Sequence, residues 1–386
     1  MAYQNTFNFT GTFNKLKDDA EHPAHRIIKS KNSDWTMENL NVGMKTGGSY
    51  HFLTIQGGYN KAQSNDIFYM TTKKEKKTVP YKQRFTVDMD TVAGYTDYSL
   101  DLNEYFDSEL KRAVSNDEEA AKLGLTSEKA QELLNDYENK KFRFLSAVDL
   151  IGKVEELLNN PEYLDKTFNV TGNVTQSISG GKTYTNYEVR KIHAVRNVED
   201  HANVNMHFLF GRDSMQDIEE DGSFGVIGWT TGYGGKNKPD LYFPLEFRVM
   251  PVIKDTEEGT KKALEIVRKR WKVRGDNLKE CVVNLNVLNG TEYRTITEED
   301  LSEEERDMIF LGEVTLEELQ REYKRVAGDT VKEYRFVRFA RGYTKGALET
   351  ELTMDDVYKE PESKPEETPV VEKTDDDEEF DLFGED

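Results

Sequence analysis

Short runs in which apolar and polar residues alternate recur along much of the chain. Phe85, Val87 and Met89 alternate with Arg84, Thr86 and Asp88, which is the period-two pattern of a strand with one buried face. Similar segments rich in Thr, Val, Tyr and Phe lie between turns that contain Gly or Asn. They cover residues 6–13, 49–55, 84–89, 168–175, 183–192 and 241–249. The pattern predicts a mainly β protein with short strands.

Three other segments have the spacing of helices. Residues 127–141 and 261–273 each place apolar side chains on one helical face, and Trp271 belongs to the second of these faces. Thr315 and Glu318 have the spacing of a capping box at a helix N-terminus. These segments predict helical insertions in a β framework.

A seven-residue segment near the N-terminus recurs further along the chain. Residues 7–13 (FNFTGTF) and 168–174 (FNVTGNV) share four identities. Because both open a β-rich stretch about one domain length apart, we interpret them as the first strands of two similar β modules. This interpretation predicts one domain over residues 1–145 and a second over residues 146–354.

Negative charge is concentrated at the C-terminal end. The chain has 73 acidic and 52 basic residues and a net charge of −21. Residues 355–386 contain 15 acidic and 3 basic residues, or −12, which leaves −9 for the rest. A segment with so few apolar residues is expected to be a disordered acidic tail. The predicted partner-binding residues at its tip are Asp375, Asp376, Asp377, Glu378, Glu379, Phe380 and Phe383.

Two basic clusters stand out against this acidic background. Residues 61–84 contain seven basic and two acidic side chains, and residues 261–279 contain eight and two. Charge runs are usually solvated faces, but aromatic residues accompany both clusters. Lysine and arginine neutralise phosphates, and aromatic rings stack on bases, so the combination indicates binding of single-stranded nucleic acid.

The predicted DNA-binding residues come from these clusters, from strand aromatics and from basic positions in or beside turns. They are Lys61, Lys73, Lys74, Lys76, Lys77, Lys82, Arg84, Arg268, Arg270, Lys272, Tyr50, Tyr69, Tyr184, Tyr187, Lys182, Arg190, Lys236 and Lys238. Tyr184 and Tyr187 lie on opposite faces of a regular strand, so at most one of them is expected to stack on a base.

The sequence offers no sign of catalysis, a cofactor or a metal site. Residues 179–183 (SGGKT) are not a phosphate-binding loop, because Gln176 occupies the position where the motif requires glycine. The six histidines are scattered, and Cys281 is the single cysteine, which excludes disulfides and cysteine-rich zinc sites. Without an apolar run of membrane-spanning length or an N-terminal leader, a soluble cytoplasmic protein is expected.

In residues 7–13 and 168–174, and in the tail at 375–386 with Phe380 and Phe383, the chain resembles bacteriophage single-stranded DNA-binding proteins. The resemblance implies two OB-fold-like β-barrels with helical insertions, followed by the acidic tail. It also implies a non-catalytic protein that coats single-stranded DNA in phage replication, recombination or repair. The tail would recruit replication proteins such as a polymerase, helicase or primase.

The sequence departs from this family in one respect that concerns the tail. Phe383 is followed by Gly384, Glu385 and Asp386, so a pocket that reads a terminal aromatic carboxylate is not expected. Two other function classes remain open at this stage. One is a protein–protein adaptor or scaffold that acts through the tail without binding DNA, and the other is a divergent metal-dependent enzyme of nucleic acids.

Overall fold

The computed structural model describes residues 5–16, 23–31, 33–104, 117–179, 182–232, 241–294, 301–316, 318–319, 326–343 and 346–357. Over these ranges the protein is mainly β with several helices, as the sequence predicts. The strands are β1 (Thr6–Asn14), β2 (His25–Lys29), β3 (Trp35–Thr46), β4 (Ser49–Asn60), β5 (Asp66–Met70), β6 (Lys76–Pro80), β7 (Tyr98–Asp101), β8 (Lys141–Phe144), β9 (Thr167–Ser179), β10 (Lys182–Val195), β11 (His201–Phe210), β12 (Met215–Ile218), β13 (Phe224–Gly232), β14 (Leu241–Val249), β15 (Asn277–Arg294), β16 (Val326–Phe339) and β17 (Leu348–Thr353). The helices are α1 (Asp117–Lys122), α2 (Ser127–Asn139), α3 (Ala147–Leu158), α4 (Pro161–Leu164), α5 (Glu257–Arg270), α6 (Glu303–Leu311) and α7 (Met354–Val357).

Five strands of the N-terminal half close on themselves through backbone hydrogen bonds. β1 pairs with β3, β3 with β4, β10 with β9, and β9 with β1, all antiparallel. A parallel contact between β4 and β10 completes the closure. Helix α3, which lies between β4 and β9 in the chain, packs against β4 at Gly57, where a Cβ atom would be 3.0 Å from the Cβ of Ala147. We call these five strands the first closed sheet.

Five strands of the C-terminal half repeat this arrangement. β11 pairs with β13, β13 with β14, β16 with β15, and β15 with β11, all antiparallel. A parallel contact between β14 and β16 completes the closure, and helix α5 lies between β14 and β15 in the chain. The second closed sheet therefore has the same strand order, directions and helix position as the first.

The two closed sheets are joined directly by pairing between strands. β1 pairs antiparallel with β11 over residues 6–10, while its far end pairs with β3. Asn5 strengthens the junction: its amide nitrogen donates to Thr230 Oγ1 at 2.9 Å, and its amide oxygen accepts from the backbone nitrogen of His207 at 2.8 Å. The carbonyl of Asn5 also accepts from the nitrogen of Val174 in β9. One short segment thus contacts strands of both sheets.

The two similar heptapeptides lie side by side within one sheet and do not open two modules. Phe7 pairs with Gly172, and Gly11 pairs with Phe168, so β1 and β9 are antiparallel neighbours in the first closed sheet. They share a pattern because both strands line the same core, where Phe7 and Phe168 are buried. The first closed sheet also extends to Val195 at the end of β10, well beyond the predicted boundary at 145/146.

Residues 84–89, whose alternating pattern predicts a strand, do not form one. Residues 81–86 and 89–91 are short 3₁₀ helices. Tyr81 is buried, and the Arg84 guanidinium makes a two-pronged ion pair with Asp149, with N–O distances of 2.7 and 2.8 Å. These tertiary contacts outweigh the local β preference of the segment.

Two predicted helices are present with shifted ends. α2 lies within residues 127–141, whereas α5 begins at Glu257 and ends at Arg270, so it covers the predicted segment 261–273 only in part. The predicted capping box is also present, because Glu318 Oε2 accepts from the nitrogen of Thr315 at 2.8 Å and Thr315 Oγ1 accepts from the nitrogen of Glu318 at 3.3 Å.

The C-terminal described segment covers the outer face of the second closed sheet. β17 pairs with β15, and α7 follows it immediately. Val357 of α7 packs in a cluster with Leu209 and Leu278, which Trp229 and Tyr242 flank. We call residues 348–357 the C-terminal clasp. Among the described residues, no helix is long and apolar enough to span a lipid bilayer.

His51 lies inside the first closed sheet, and its titration should affect stability. Its ring packs 4.7 Å from that of Phe9, and burial lowers its pKa from 6.5 to about 4. Between those pH values the unfolded chain binds a proton at His51 that the folded chain does not. We therefore expect stability to fall by about 3 kcal/mol as the pH drops from 6.5 to 4.

Urea unfolding at pH 7 and pH 4.5 measures this effect. The matched variant His51→Phe keeps a buried aromatic ring but has no titrating group, so it should lose less stability than the wild type over the same interval. Equal losses in the two proteins would assign the acid sensitivity to other groups.

Candidate nucleic-acid interface

The outer face of β3 and β4 presents aromatic side chains to solvent. In β4 the side chains of His51, Leu53 and Ile55 point into the core, which turns those of Tyr50 and Phe52 outward. Phe52 is 58% exposed, and its ring lies edge-on to Tyr50 with 5.3 Å between centroids. These two rings form an accessible aromatic pair at the surface.

Two glycines allow aromatic rings to lie across the neighbouring strand. A Cβ atom at Gly43 would be 1.8 Å from the hydroxyl oxygen of Tyr50, and one at Gly58 would be 2.5 Å from Nε1 of Trp35. Trp35 is 40% exposed. Because glycine has no Cβ, the Tyr50 side chain can lie over Gly43 in β3, and the Trp35 ring can lie over Gly58 in β4. A covered glycine of this kind is a known device for pinning aromatic rings on a sheet surface.

Polar groups complete this surface. Lys45 is exposed and pairs in register with Tyr50. Farther along the strands, Thr54 Oγ1 donates to Asn41 Oδ1 at 3.2 Å. We define the β3–β4 face as Trp35, Asn41, Lys45, Tyr50, Phe52 and Thr54. It combines flat apolar rings, neutral hydrogen-bonding groups and a cation, which suits bases and phosphates together.

The Tyr50 hydroxyl remains neutral at physiological pH. Partial burial raises its pKa above the usual value of 10, although a hydrogen bond with Asn14 opposes the shift. Tyr50 therefore brings no negative charge to a surface proposed to approach phosphates.

The hairpin of β5 and β6 carries the first basic cluster beside an exposed ring. The ammonium group of Lys76 lies 4.0 Å from the ring centroid of Phe68, which is 59% exposed. Tyr69 faces the opposite way and packs against the cluster of Val79, Val92 and Leu145. Phe68 is therefore the more exposed ring of the hairpin, whereas the predicted DNA-binding residue Tyr69 is half-buried.

The remaining cations of this cluster are exposed apart from Arg84. Lys73, Lys74 and Lys82 are at the surface, and so is Lys77, which pairs with Glu75 at 3.4 Å. Lys61 is also exposed and follows β4 directly. Its backbone nitrogen donates to the carbonyl of Asp34 at 2.6 Å, so it lies beside the Trp35 end of the β3–β4 face.

Two of the predicted DNA-binding side chains are withdrawn from solvent. The Arg84 side chain is 13% exposed and is held in its ion pair with Asp149. Tyr187 is buried in the core, where burial raises its hydroxyl pKa well above the usual value. Tyr184, on the opposite face of β10, is 41% exposed. The two tyrosines thus occupy opposite faces, as strand periodicity predicts, and Tyr184 is the accessible one.

The second basic cluster lies on and after α5, apart in the chain from the elements of the first. Arg270 and Lys272 are exposed, whereas Arg268 donates to the backbone oxygen of Gln216 at 3.2 Å and lies over the ring of Phe224. Trp271, the aromatic residue of this cluster, is buried. The second basic cluster therefore presents exposed cations, but the Trp271 ring does not reach solvent.

Some predicted residues fall outside the described parts of the structure. Lys182 begins β10, but its side chain is not among those described, and the other positions lie outside the described residues altogether. These are Lys236, Lys238, Asp375, Asp376, Asp377, Glu378, Glu379, Phe380 and Phe383. Arg190 is described, and its guanidinium carbon lies 4.6 Å from the ring centroid of Tyr98.

Sequence reasoning missed Phe52, Trp35 and Lys45. Residues 50–53 are apolar or aromatic in both phases of the alternation, so the pattern did not show which phase faces solvent. The signal that could have found them lies on the partner strand, where a glycine leaves space for a ring.

Neither a metal site nor a reactive thiol emerges from the described part of the chain. No three histidine, cysteine or acidic side chains within it are grouped to hold a metal ion. Burial raises the pKa of the Cys281 thiol, so this group is not an activated nucleophile.

Comparison with known proteins gives little direct guidance. No family model and no curated protein matches the chain. Among solved structures, a deletion mutant of the single-stranded DNA-binding protein from Thermus aquaticus matches with a TM-score of 0.27 and 9% identity. That match covers 75% of this chain and 87% of the other.

Proposed function

We propose that this chain is a non-catalytic single-stranded DNA-binding protein and that its two closed sheets are OB-folds. In an OB-fold the first strand contacts the second and fourth, the third and fifth meet in parallel, and a helix commonly precedes the fourth. The pairings of β1, β3, β4, β9 and β10, with α3 before β9, support this assignment for the first closed sheet. Those of β11, β13, β14, β15 and β16 support it for the second.

The observation that carries the functional proposal is the position of the aromatic side chains at the surface of the first closed sheet. Oligonucleotides bind OB-folds across the second and third strands. In the first closed sheet these are β3 and β4, which carry Trp35, Tyr50 and Phe52 on their outer face. Bases would stack on these rings, while Lys45 and Lys61 would contact phosphates. Stacking does not depend on base identity, so binding should tolerate different sequences.

The proposed biological role rests on the sequence resemblance to bacteriophage single-stranded DNA-binding proteins and on the acidic tail. We propose that the protein coats single strands during phage replication, recombination or repair. The acidic segment with Phe380 and Phe383 would recruit a polymerase, helicase or primase. A recruiting tail and a DNA-binding face would act through separate parts of the chain.

Salt dependence tests the proposed function. If about four phosphates are neutralised, affinity for single strands should fall with a log–log slope of about −2.8, or about 50-fold between 50 and 200 mM NaCl. Fluorescence anisotropy with labelled dT40 measures this change, and a duplex of equal length should bind more weakly.

The tail can be examined in the same titration. A chain that ends at Thr374 should bind dT40 as tightly as the full chain if the tail only recruits other proteins. Absence of dT40 binding at low salt by either chain would reject the proposal and favour an adaptor that acts without DNA.

A further inference from the structure

A polar groove lies where the two closed sheets meet. It has a volume of about 350 Å³ and is formed where β1 runs between β9 and β11. Its lining includes Asn8, Tyr95, Thr171, Asn173, Arg190 and Asn205. The groove is distinct from the β3–β4 face, which lies on other strands of the first closed sheet.

The strand register continues this polar lining across both sheets. Neighbouring residues on β9, β1, β11 and β15 form two rows, and every position in them is Asn or Thr. The rows are Asn173–Thr6–Asn205–Asn284 and Thr171–Asn8–Asn203–Asn286. At the usual strand spacing, each row spans about 14 Å from the first closed sheet to the second.

Amide side chains in these rows contact one another and the amide of Asn169, which lies beside the rows and pairs in register with Thr10. Asn284 Nδ2 donates to Asn205 Oδ1 at 3.1 Å, and Asn169 Nδ2 donates to Asn8 Oδ1 at 2.6 Å. An amide has two donor hydrogens and an oxygen that can accept twice, so these bonds do not exhaust its capacity. The rows are a continuous neutral surface that can donate hydrogen bonds to phosphate oxygens or sugars.

The groove has a cationic and aromatic edge. Arg190, Lys191 and Asp97 all contribute to its lining. Lys191 donates to the carbonyl of Gly94 and lies 3.2 Å from Asp97, while Arg143 also contacts Asp97 at 2.6 Å. Two cations therefore accompany the buried Asp97 carboxylate. The segment held by Lys191 presents Tyr95, whose ring is 56% exposed.

We propose that this groove binds the sugar–phosphate backbone of a single strand and leads it from the first closed sheet to the second. Arg190 would contact a phosphate, Tyr95 would stack on a base, and the Asn and Thr rows would hydrogen-bond to phosphates and sugars. A neutral polar floor with a cationic edge suits a flexible polyanion and does not suit an apolar partner. This proposal rests on the proposed function and adds the route by which a bound strand passes from one closed sheet to the other.

Oligonucleotide length distinguishes this groove from the β3–β4 face. A short oligonucleotide such as dT8 can occupy the aromatic face alone, whereas dT40 can also enter the groove. We expect Tyr95→Ala combined with Arg190→Gln to weaken dT40 binding about 10-fold or more and to leave dT8 binding unchanged. Phe52→Ala should weaken binding of both lengths.

Arg190 also packs on Tyr98, so its replacement affects the fold as well as the groove. A second variant therefore tests the groove while keeping Arg190. Asn8→Asp adds a negative charge of nearly the same shape at an exposed position and should weaken dT40 binding most at low salt. Asn135→Asp, on the exposed surface of α2, is the matched control and should have no effect.

Each outcome separates the two proposals. If the groove variants bind dT40 like the wild type while Phe52→Ala weakens both oligonucleotides, the groove is refuted and the proposed function stands. Equal weakening for dT8 and dT40 would also refute a path that only long strands reach. If the wild type binds neither oligonucleotide, the proposed function itself fails.

Discussion

Replacing both Tyr50 and Phe52 with alanine is expected to weaken binding of single-stranded DNA by about 100-fold or more. Each base stacked on an aromatic ring contributes about 1–3 kcal/mol, and about 1.4 kcal/mol corresponds to a tenfold change in affinity. The two rings are adjacent on the outer face of β4, with 5.3 Å between their centroids, so the double variant removes the aromatic pair. Anisotropy titration with dT12 at fixed salt measures the loss.

A matched control separates stacking from a general effect of removing an exposed ring. Phe310 lies on α6 and is 89% exposed, so Phe310→Ala removes the same kind of side chain elsewhere. Phe52→Trp keeps an aromatic surface and should retain most of the affinity. If the double variant bound dT12 as tightly as the wild type, the β3–β4 face would not be the binding surface.

Replacing Trp271 with alanine should destabilise the fold by about 3–5 kcal/mol, the usual cost of deleting a large buried aromatic side chain. Trp271 is 1% exposed. Its ring lies 5.2 Å from that of Phe210 and 4.8 Å from that of Phe339. The variant therefore leaves a cavity where α5 ends against the second closed sheet. Equilibrium unfolding in urea measures the change in free energy.

The conservative variant Trp271→Phe sharpens this test. Nε1 of Trp271 is buried without a hydrogen-bond partner in the described part of the protein. Phenylalanine removes that unsatisfied donor, so this variant should lose far less stability than Trp271→Ala. Weakened DNA binding with unchanged stability in Trp271→Ala would contradict its place in the core.

The sequence predicted the β character of the protein and two of its helices, because these features depend on local periodicity. It did not predict which strands close each sheet. The parallel contact in the first closed sheet joins Leu53 to Tyr187, and no local pattern relates positions so far apart. The repeated heptapeptide was a real signal with the wrong interpretation, since strands that line one core can resemble each other as strongly as two modules do.

The burial of the predicted DNA-binding residues could be predicted less well than the fold. Basic clusters are visible in a sequence, but whether a cation can reach a ligand depends on its neighbours. The Arg84 guanidinium, for example, forms an ion pair with Asp149. Aromatic residues are equally ambiguous, because Tyr50 and Tyr187 have the same chemistry, yet Tyr50 is half-buried at the surface and Tyr187 is buried in the core. Only the strand register, which places Gly43 opposite Phe52, shows which rings reach solvent.

The pairing of β1 with β11 has a consequence for avidity. When two binding units are joined by a flexible linker, the second contact depends on the effective concentration that the linker allows. Here a shared ladder of backbone hydrogen bonds replaces the linker, so the two units hold a set spacing. If both closed sheets bind single-stranded DNA as proposed, a strand held by one would meet the other without a further search and would lose less entropy on forming the second contact. The trade-off is a fixed reach, which should favour strands that match this spacing.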